Sequence, residues 1–310
     1  MSKHWRNKRI GVVMGGISRE REVSLKTGSA MLKALQEGGY QAVGIEVSAD
    51  IVQRLLEERI EVAVIALHGR WGEDGTVQGL LELLRIPYTG SGVLASALAM
   101  NKIKAKEIFL YHGLPTPEFI CPPEGKEVEE PSFPPPWVIK PASEGSTIGI
   151  DIVMDRKGLQ QAVRSARGYD HEVLVERFIK GKELTVGILK KEPLPIVEIV
   201  PLGGFYDYQA KYTPGQTEYI CPARISDRQQ EEVKGLGLRA YHALGCSGCA
   251  RVDLLLSEEG EAFITEVNTL PGMTETSLVP KAAAQVGISF LKLVEIIVEE
   301  ASMKIEEGAG

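Results

Sequence analysis

Short unbroken apolar runs alternate with helical stripes along the first hundred positions. Residues 10–14 form an apolar run. Leu25, Gly28, Leu32 and Leu35 then recur at helix spacing, and Gly38-Gly39 closes the stripe. Residues 41–47 predict a second strand, 51–58 a short helix, 62–67 a strand without alternation, 77–84 a helix and 86–89 a strand. Strands buried on both faces and joined by helices predict a doubly wound parallel α/β unit. Gly15-Gly16 and His68-Gly69 fall at strand C-terminal ends, where open α/β sheets bind ligands.

The pattern then changes. Residues 93–111 read as one helix, stopped by Gly113-Leu-Pro-Thr-Pro117. Strands at 119–121, 137–140, 150–154, 173–176 and 184–189 surround a helix at 159–166, and a further unit begins near Pro193. Domain limits of 1–101, 102–187 and 188–310 follow, with a long Tyr- and Gly-punctuated loop at 203–221.

Two late strands carry the strongest chemical signal. Arg251 and Asp253 share one face of the first, and Glu266 and Asn268 one face of the second. A hairpin joining them brings together two carboxylates, an amide and a guanidinium, a cluster costly to bury without a neutralising cation. Its oxygen donors suit Mg²⁺, which readily shares its shell with phosphate.

Other motifs are weaker alone. Lys140-Pro-Ala-Ser-Glu-Gly-Ser146-Thr147-Ile-Gly149 fits a phosphate-binding loop and an ordinary hairpin turn equally well. Around Glu176-Arg-Phe178-Ile179 and Glu183, strand-end carboxylates beside apolar groups could hold a nucleoside, but solvated turn charges explain them better locally. His68-Gly-Arg-Trp-Gly72-Glu73-Asp74-Gly75 opens a helix, so its acids could be mere caps and His68 a core residue. Gly235-Leu-Gly-Leu-Arg-Ala240 follows no strand and is rejected as a dinucleotide fingerprint. Cys246-Ser-Gly-Cys249 lacks a second ligand pair for zinc and reads as structural.

Composition narrows the class. The chain has 310 residues, 44% of them apolar and 25% charged, which suits a soluble multi-domain protein. A net charge of −7 gives nucleic acid no bulk attraction. No apolar run reaches membrane-spanning length, and the basic start reads as a solvated tail, so a cytoplasmic location is expected.

Taken together, the motifs resemble those of D-alanine–D-alanine ligases in the ATP-grasp superfamily. His68-Gly-x-x-Gly-Glu-Asp-Gly75 and Arg251-x-Asp253 with Glu266-x-Asn268-x-x-Pro-Gly272 are the most specific stretches. Gly15-Gly-Ile-Ser-Arg-Glu20-Arg-Glu-Val-Ser24 and Tyr208-x-x-Lys211-Tyr212 match in order and spacing. The resemblance implies an N-terminal Rossmann-like parallel-sheet domain followed by two α+β domains that sandwich ATP. It implies ATP-driven ligation of two D-alanines through D-alanyl phosphate for peptidoglycan precursors, and a homodimer.

The site residues follow from the same likeness. Asp253, Glu266 and Asn268 would hold two Mg²⁺, with Mn²⁺ as a substitute. Lys102, Lys140 and Lys211 would contact phosphates, and Glu176, Phe178, Ile179 and Glu183 the nucleoside. Glu20 would bind the first ammonium and His68 help place its carboxylate. Arg251 and the Gly272 N–H would face the oxyanion, and Ser277 with Leu278 take the second carboxylate. Tyr212, Ser146 and Glu20 would pin the loop by hydrogen bonds. Phe178 stands where tryptophan is common, and Ser143 where arginine is more usual. A D-alanine–D-lactate ligase is the nearest rival. Another ATP-grasp ligase, a non-catalytic nucleotide module and a nicotinamide oxidoreductase fit fewer of these residues.

Overall fold

The computed structural model describes residues 5–202 and 216–305. The first apolar run forms β1 (Ile10–Gly15), buried along its whole length. It lies between β2 (Ala42–Val47) and β3 (Val62–Ile65) in a parallel sheet of order β2-β1-β3. Helix α1 (Arg21–Glu37) packs on this sheet with Thr27, Gly28, Met31, Ala34 and Leu35, the buried stripe of an amphipathic helix. Helices α2 (Ile51–Glu57) and α3 (Thr76–Leu83) complete the unit. Residues 86–89, expected as a strand, make only isolated bridges, Tyr88 to Ala63 and to Ser302. Pro87 has no N–H to continue a ladder.

The single helix expected over 93–111 is two, α4 (Val93–Met100) and α5 (Lys102–Tyr111). Asn101 between them is extended, and its Oδ1 accepts from the Lys104 N–H at 3.0 Å, so it caps a new helix rather than continuing the old one.

A second sheet follows, antiparallel, of order β4-β7-β5-β6. Its strands are β4 (Phe119–Ile120), β5 (Trp137–Pro141), β6 (Asp151–Val153) and β7 (Val173–Arg177). Helix α6 (Arg156–Arg167) buries Leu159, Ala162, Val163 and Ala166 against it.

The third sheet contains β8 (Gly181–Leu189), β9 (Glu192–Pro193), β10 (Val197–Pro201), β11 (Thr217–Ile220), β12 (Ala250–Ser257) and β13 (Ala262–Asn268). Its main path is β11-β10-β8-β12-β13, with β9 beside β8. The expected boundary at 187 falls inside β8, which pairs with β12 from Gly181 to Ile188, so strand pairing starts this unit earlier. Residues 217–220 pair with β10, which shortens the loop expected over 203–221.

Helix α7 (Asp227–Ala243) covers one face of this sheet and starts in a Ser226/Gln229 capping box. The chain ends through α8 (Leu278–Gln285) and α9 (Phe290–Glu299). These two helices share one core with the N-terminal sheet, in which Val279, Leu293 and Ile297 join Val12, Met14 and Leu35. The Tyr40 hydroxyl donates to Glu295 across that junction at 3.1 Å. First and last elements are thus fastened together, and one cavity is lined by strands of the third sheet and by loop and helix residues of the other two units.

Candidate active site

The cavity has a volume of about 520 Å³. The third sheet supplies its acidic floor. Register places Asp253 directly opposite Glu266, and Arg251 opposite Asn268. Arg251 grips Asp253 with Nε–Oδ1 and Nη2–Oδ2 contacts of 2.8 Å each. Thr185 on β8 donates to the same Oδ1 at 2.6 Å. The Asn268 amide oxygen accepts from the Leu270 N–H at 2.9 Å, and Lys102 Nζ stands 3.6 Å from Glu266.

These donors fit a hard divalent cation: two carboxylates and an amide oxygen, all on adjacent strands at the cavity wall. Among the described residues no three His, Cys, Asp or Glu gather as a complete metal cage. A Mg²⁺ shell built here would be completed by other oxygens, as phosphate-linked Mg²⁺ usually is.

The N-terminal unit supplies the opposite wall. Gly15 and Gly16 take φ of 83° and 84°, a left-handed turn that glycine adopts at little cost. Ser24 fastens this turn, accepting from the Gly15 N–H and donating to the Ala66 carbonyl, each at 2.8 Å. Ser18 donates to the His68 carbonyl at 2.7 Å, and Glu20 follows into the cavity. Its carboxylate accepts a short hydrogen bond from Ser146 of the central unit. Ser146 and Thr147 sit at φ of 53° and 62°, so the Gly/Ser loop between β5 and β6 is no relaxed hairpin turn.

His68 is buried, with Nε2 at 3.1 Å from Thr27 Oγ1. Burial, then the Arg251 charge, pushes its pKa down to about 4, so the imidazole is neutral at pH 7. Glu73 is also buried and accepts from the Gly69 N–H at 2.6 Å. Burial, then repulsion by Glu20, pushes it up to about 8. Burial thus favours its neutral form, and it is no solvated cap.

Lys102, Gly272, Ser277 and Leu278 line the same space. Lys102 donates to the Glu144 carbonyl at 2.7 Å, and Ser277 Oγ accepts from the Thr274 N–H at 3.1 Å. The cavity therefore gathers Glu20, His68, Lys102, Ser146, Arg251, Asp253, Glu266, Asn268, Gly272, Ser277 and Leu278.

Lys140, Glu176, Phe178, Ile179 and Glu183 do not line it. Lys140 stands on β5, and the other four lie where β7 passes into β8. Glu176 is only 2% exposed, which corrects its local reading as a solvated turn charge. Lys140 meets it at 2.5 Å and Lys106 at 2.7 Å. Burial disfavours the charged Lys140, yet Glu176, then Glu266 and Glu183, outweigh that and raise its pKa. Those interactions tie this region electrostatically to the cavity floor. Lys211 and Tyr212 lie outside the described residues.

Sequence reasoning missed Lys106, Thr27 and Thr185, and gave Glu73 no individual role beyond the capping alternative. Lys106 did carry a signal, because it stands four residues after Lys102 on one helix. Cys246 and Cys249 are buried free thiols whose pKa burial pushes up to about 12, as suits packing groups.

A parallel α/β unit and two antiparallel sheets around one polar cavity define an ATP-grasp ligase architecture. The D-alanine–D-alanine ligase of Bacillus anthracis, solved with ATP, superposes with a TM-score of 0.83 at 37% identity, covering 94% of this chain and 97% of that one. Family models described as D-ala D-ala ligase N-terminus and C-terminus match residues 49–91 and 112–299. D-alanine–D-alanine ligases of Syntrophotalea carbinolica and Geobacter sulfurreducens are each 53% identical to this chain. The alignments cover 96% and 97% of the chain, and 97% of each relative. The chain belongs to the D-alanine–D-alanine ligase family.

Proposed function

We propose that this protein joins two D-alanines into D-alanyl-D-alanine, converting ATP to ADP and phosphate. The observation that carries this reading is the convergence of the Glu20–Ser146 bridge and the Arg251–Asp253–Glu266–Asn268 hairpin on one cavity. One wall offers a carboxylate for an ammonium, and the other offers cations and metal-compatible oxygens for phosphate and carboxylate.

The difficulty of the reaction is charge. A carboxylate must approach a polyanionic phosphate, so cationic groups have to screen it. Lys102 and Lys140 supply fixed positive charge from the central unit, and Lys211 is assigned the γ-phosphate. Asp253, Glu266 and Asn268 would hold Mg²⁺, which supplies charge neutralisation on the phosphate oxygens. Glu176, Phe178, Ile179 and Glu183 are assigned to the nucleoside.

Glu20 holds the first D-alanine by its ammonium, and neutral His68 helps place its carboxylate. That carboxylate attacks the γ-phosphorus, and the resulting acyl phosphate is attacked by the second amine. Arg251 and the Gly272 N–H meet the oxyanion as phosphate leaves. Ser277 and the Leu278 backbone hold the second carboxylate. Tyr212, through Ser146 and Glu20, fastens a cover that keeps water from the acyl phosphate.

The product serves peptidoglycan synthesis in the cytoplasm, and the enzyme acts as a homodimer. Among the described residues no helix is long and apolar enough to cross a membrane. The D-lactate alternative is not favoured, since the relatives quoted above are all D-alanine–D-alanine ligases. Phosphate release from ATP with D-alanine, with L-alanine, and with D-alanine plus D-lactate tests the reading. D-Alanine alone should suffice, and release independent of D-alanine would refute the proposal.

A further inference from the structure

Lys106 is fully buried on α5, away from the cavity wall, and no step above uses it. Its ammonium lies 2.7 Å from Glu176 Oε1 and donates to the Thr116 hydroxyl. Thr116 in turn donates to the Ile264 carbonyl on β13 at 2.7 Å. The other Glu176 oxygen, Oε2, takes Lys140 at 2.5 Å.

One buried carboxylate is therefore shared by two lysines, and only Lys140 is assigned to the nucleotide. A lone Lys140–Glu176 pair would leave Oε1 without a charged partner in a dry interior, free to swing and carry the Lys140 ammonium with it. Lys106 occupies that second oxygen and fixes the carboxylate plane. Its Thr116 contact anchors the arrangement to the strand that bears Glu266 two residues later.

We propose that Lys106 is a positioning residue for ATP. Through Glu176 it sets where the Lys140 ammonium stands, and through Thr116 it holds that ammonium in register with the acidic hairpin. Lys106 touches neither substrate. This inference rests on the ATP reading above.

The test is steady-state kinetics in both substrates, with ADP binding by calorimetry and a melting curve for each protein. Lys106→Met should raise the KM for ATP about tenfold and weaken ADP in parallel, as for a lost charged hydrogen bond. Both D-alanine KM values should stay within about twofold of wild type, because Glu20, His68 and Ser277 lie elsewhere. Thr116→Val, which removes only the link to β13, should raise the ATP KM about threefold.

A folded Lys106→Met protein with unchanged ATP KM overturns the inference. So does one that loses kcat and melting temperature without any change in ATP KM, the mark of a purely structural lysine. If that variant does not fold, Thr116→Val decides, a raised ATP KM supporting the inference and an unchanged one ending it. A wild-type protein with no D-alanine-dependent ATP turnover removes the functional reading itself, and this inference with it.

Discussion

Glu73 and His68 belong to one motif, yet burial moves their protons in opposite senses. His68 falls to about 4 from 6.5, so the unfolded chain binds its proton more readily between those values. Its contribution to stability is whole above about 6.5 and is lost as pH falls towards 4. Glu73 rises to about 8 from 4.5, so its contribution is whole below 4.5 and is lost as pH climbs through 8. Urea midpoints across pH should show Glu73→Gln flattening the alkaline fall and His68→Gln flattening the acid one. The amide introduced by Glu73→Gln imitates a neutral acid, so turnover at pH 7 should stay near wild type; a collapse there would mean the ionised form is required. Arg251 acts differently, since it neutralises Asp253 and is proposed to face the reacting carbonyl. Arg251→Ala should lower kcat by about 10²–10³, as for a lost oxyanion donor, and a near-native rate would remove that role.

At the scale of elements, the hairpin was the most legible feature. Alternation placed Arg251, Asp253, Glu266 and Asn268 on the right faces because a two-residue period leaves a strand little choice. Its register came only from the structure, which adds an irregularity after Asp253. Two other elements were misread for local reasons. Asn101 looked like a helical position until its side chain was seen capping α5, and Pro87 interrupted an apolar run that otherwise reads as a strand. Gly181, at the start of β8, approaches β12 so closely that an added Cβ would lie 1.9 Å from the Leu256 carbonyl oxygen. Neither backbone can yield without opening the β8–β12 ladder. Gly181→Ala should therefore destabilise by about 1–3 kcal/mol, seen as a lower urea midpoint with unchanged slope.

For the molecule as a whole, the cavity exists because distant segments are fastened to one another. The core shared by β1, α1, α8 and α9 holds the N-terminal sheet against the hairpin unit, and the Glu20–Ser146 bond draws the central unit to both. Sequence order hints at three units but not at this closure, which joins side chains far apart along the chain. The same distance hid Lys106, whose meaning depends on Glu176 and Ile264 rather than on its neighbours. Motif spacing could locate Asp253 and Glu266; it could not show Glu73 dry beside Glu20. In the proposed reaction charge control over phosphate is the central task, and Glu266→Gln should weaken Mg²⁺-dependent turnover while leaving the melting curve intact.

The most direct test follows the oxygen atoms. If the first D-alanine's carboxylate attacks the γ-phosphorus, D-alanine labelled with ¹⁸O in its carboxylate should pass one labelled oxygen to each phosphate released with a dipeptide. Unlabelled phosphate at full dipeptide yield, or label recovered in pyrophosphate or AMP, would contradict the acyl phosphate and the account built on it.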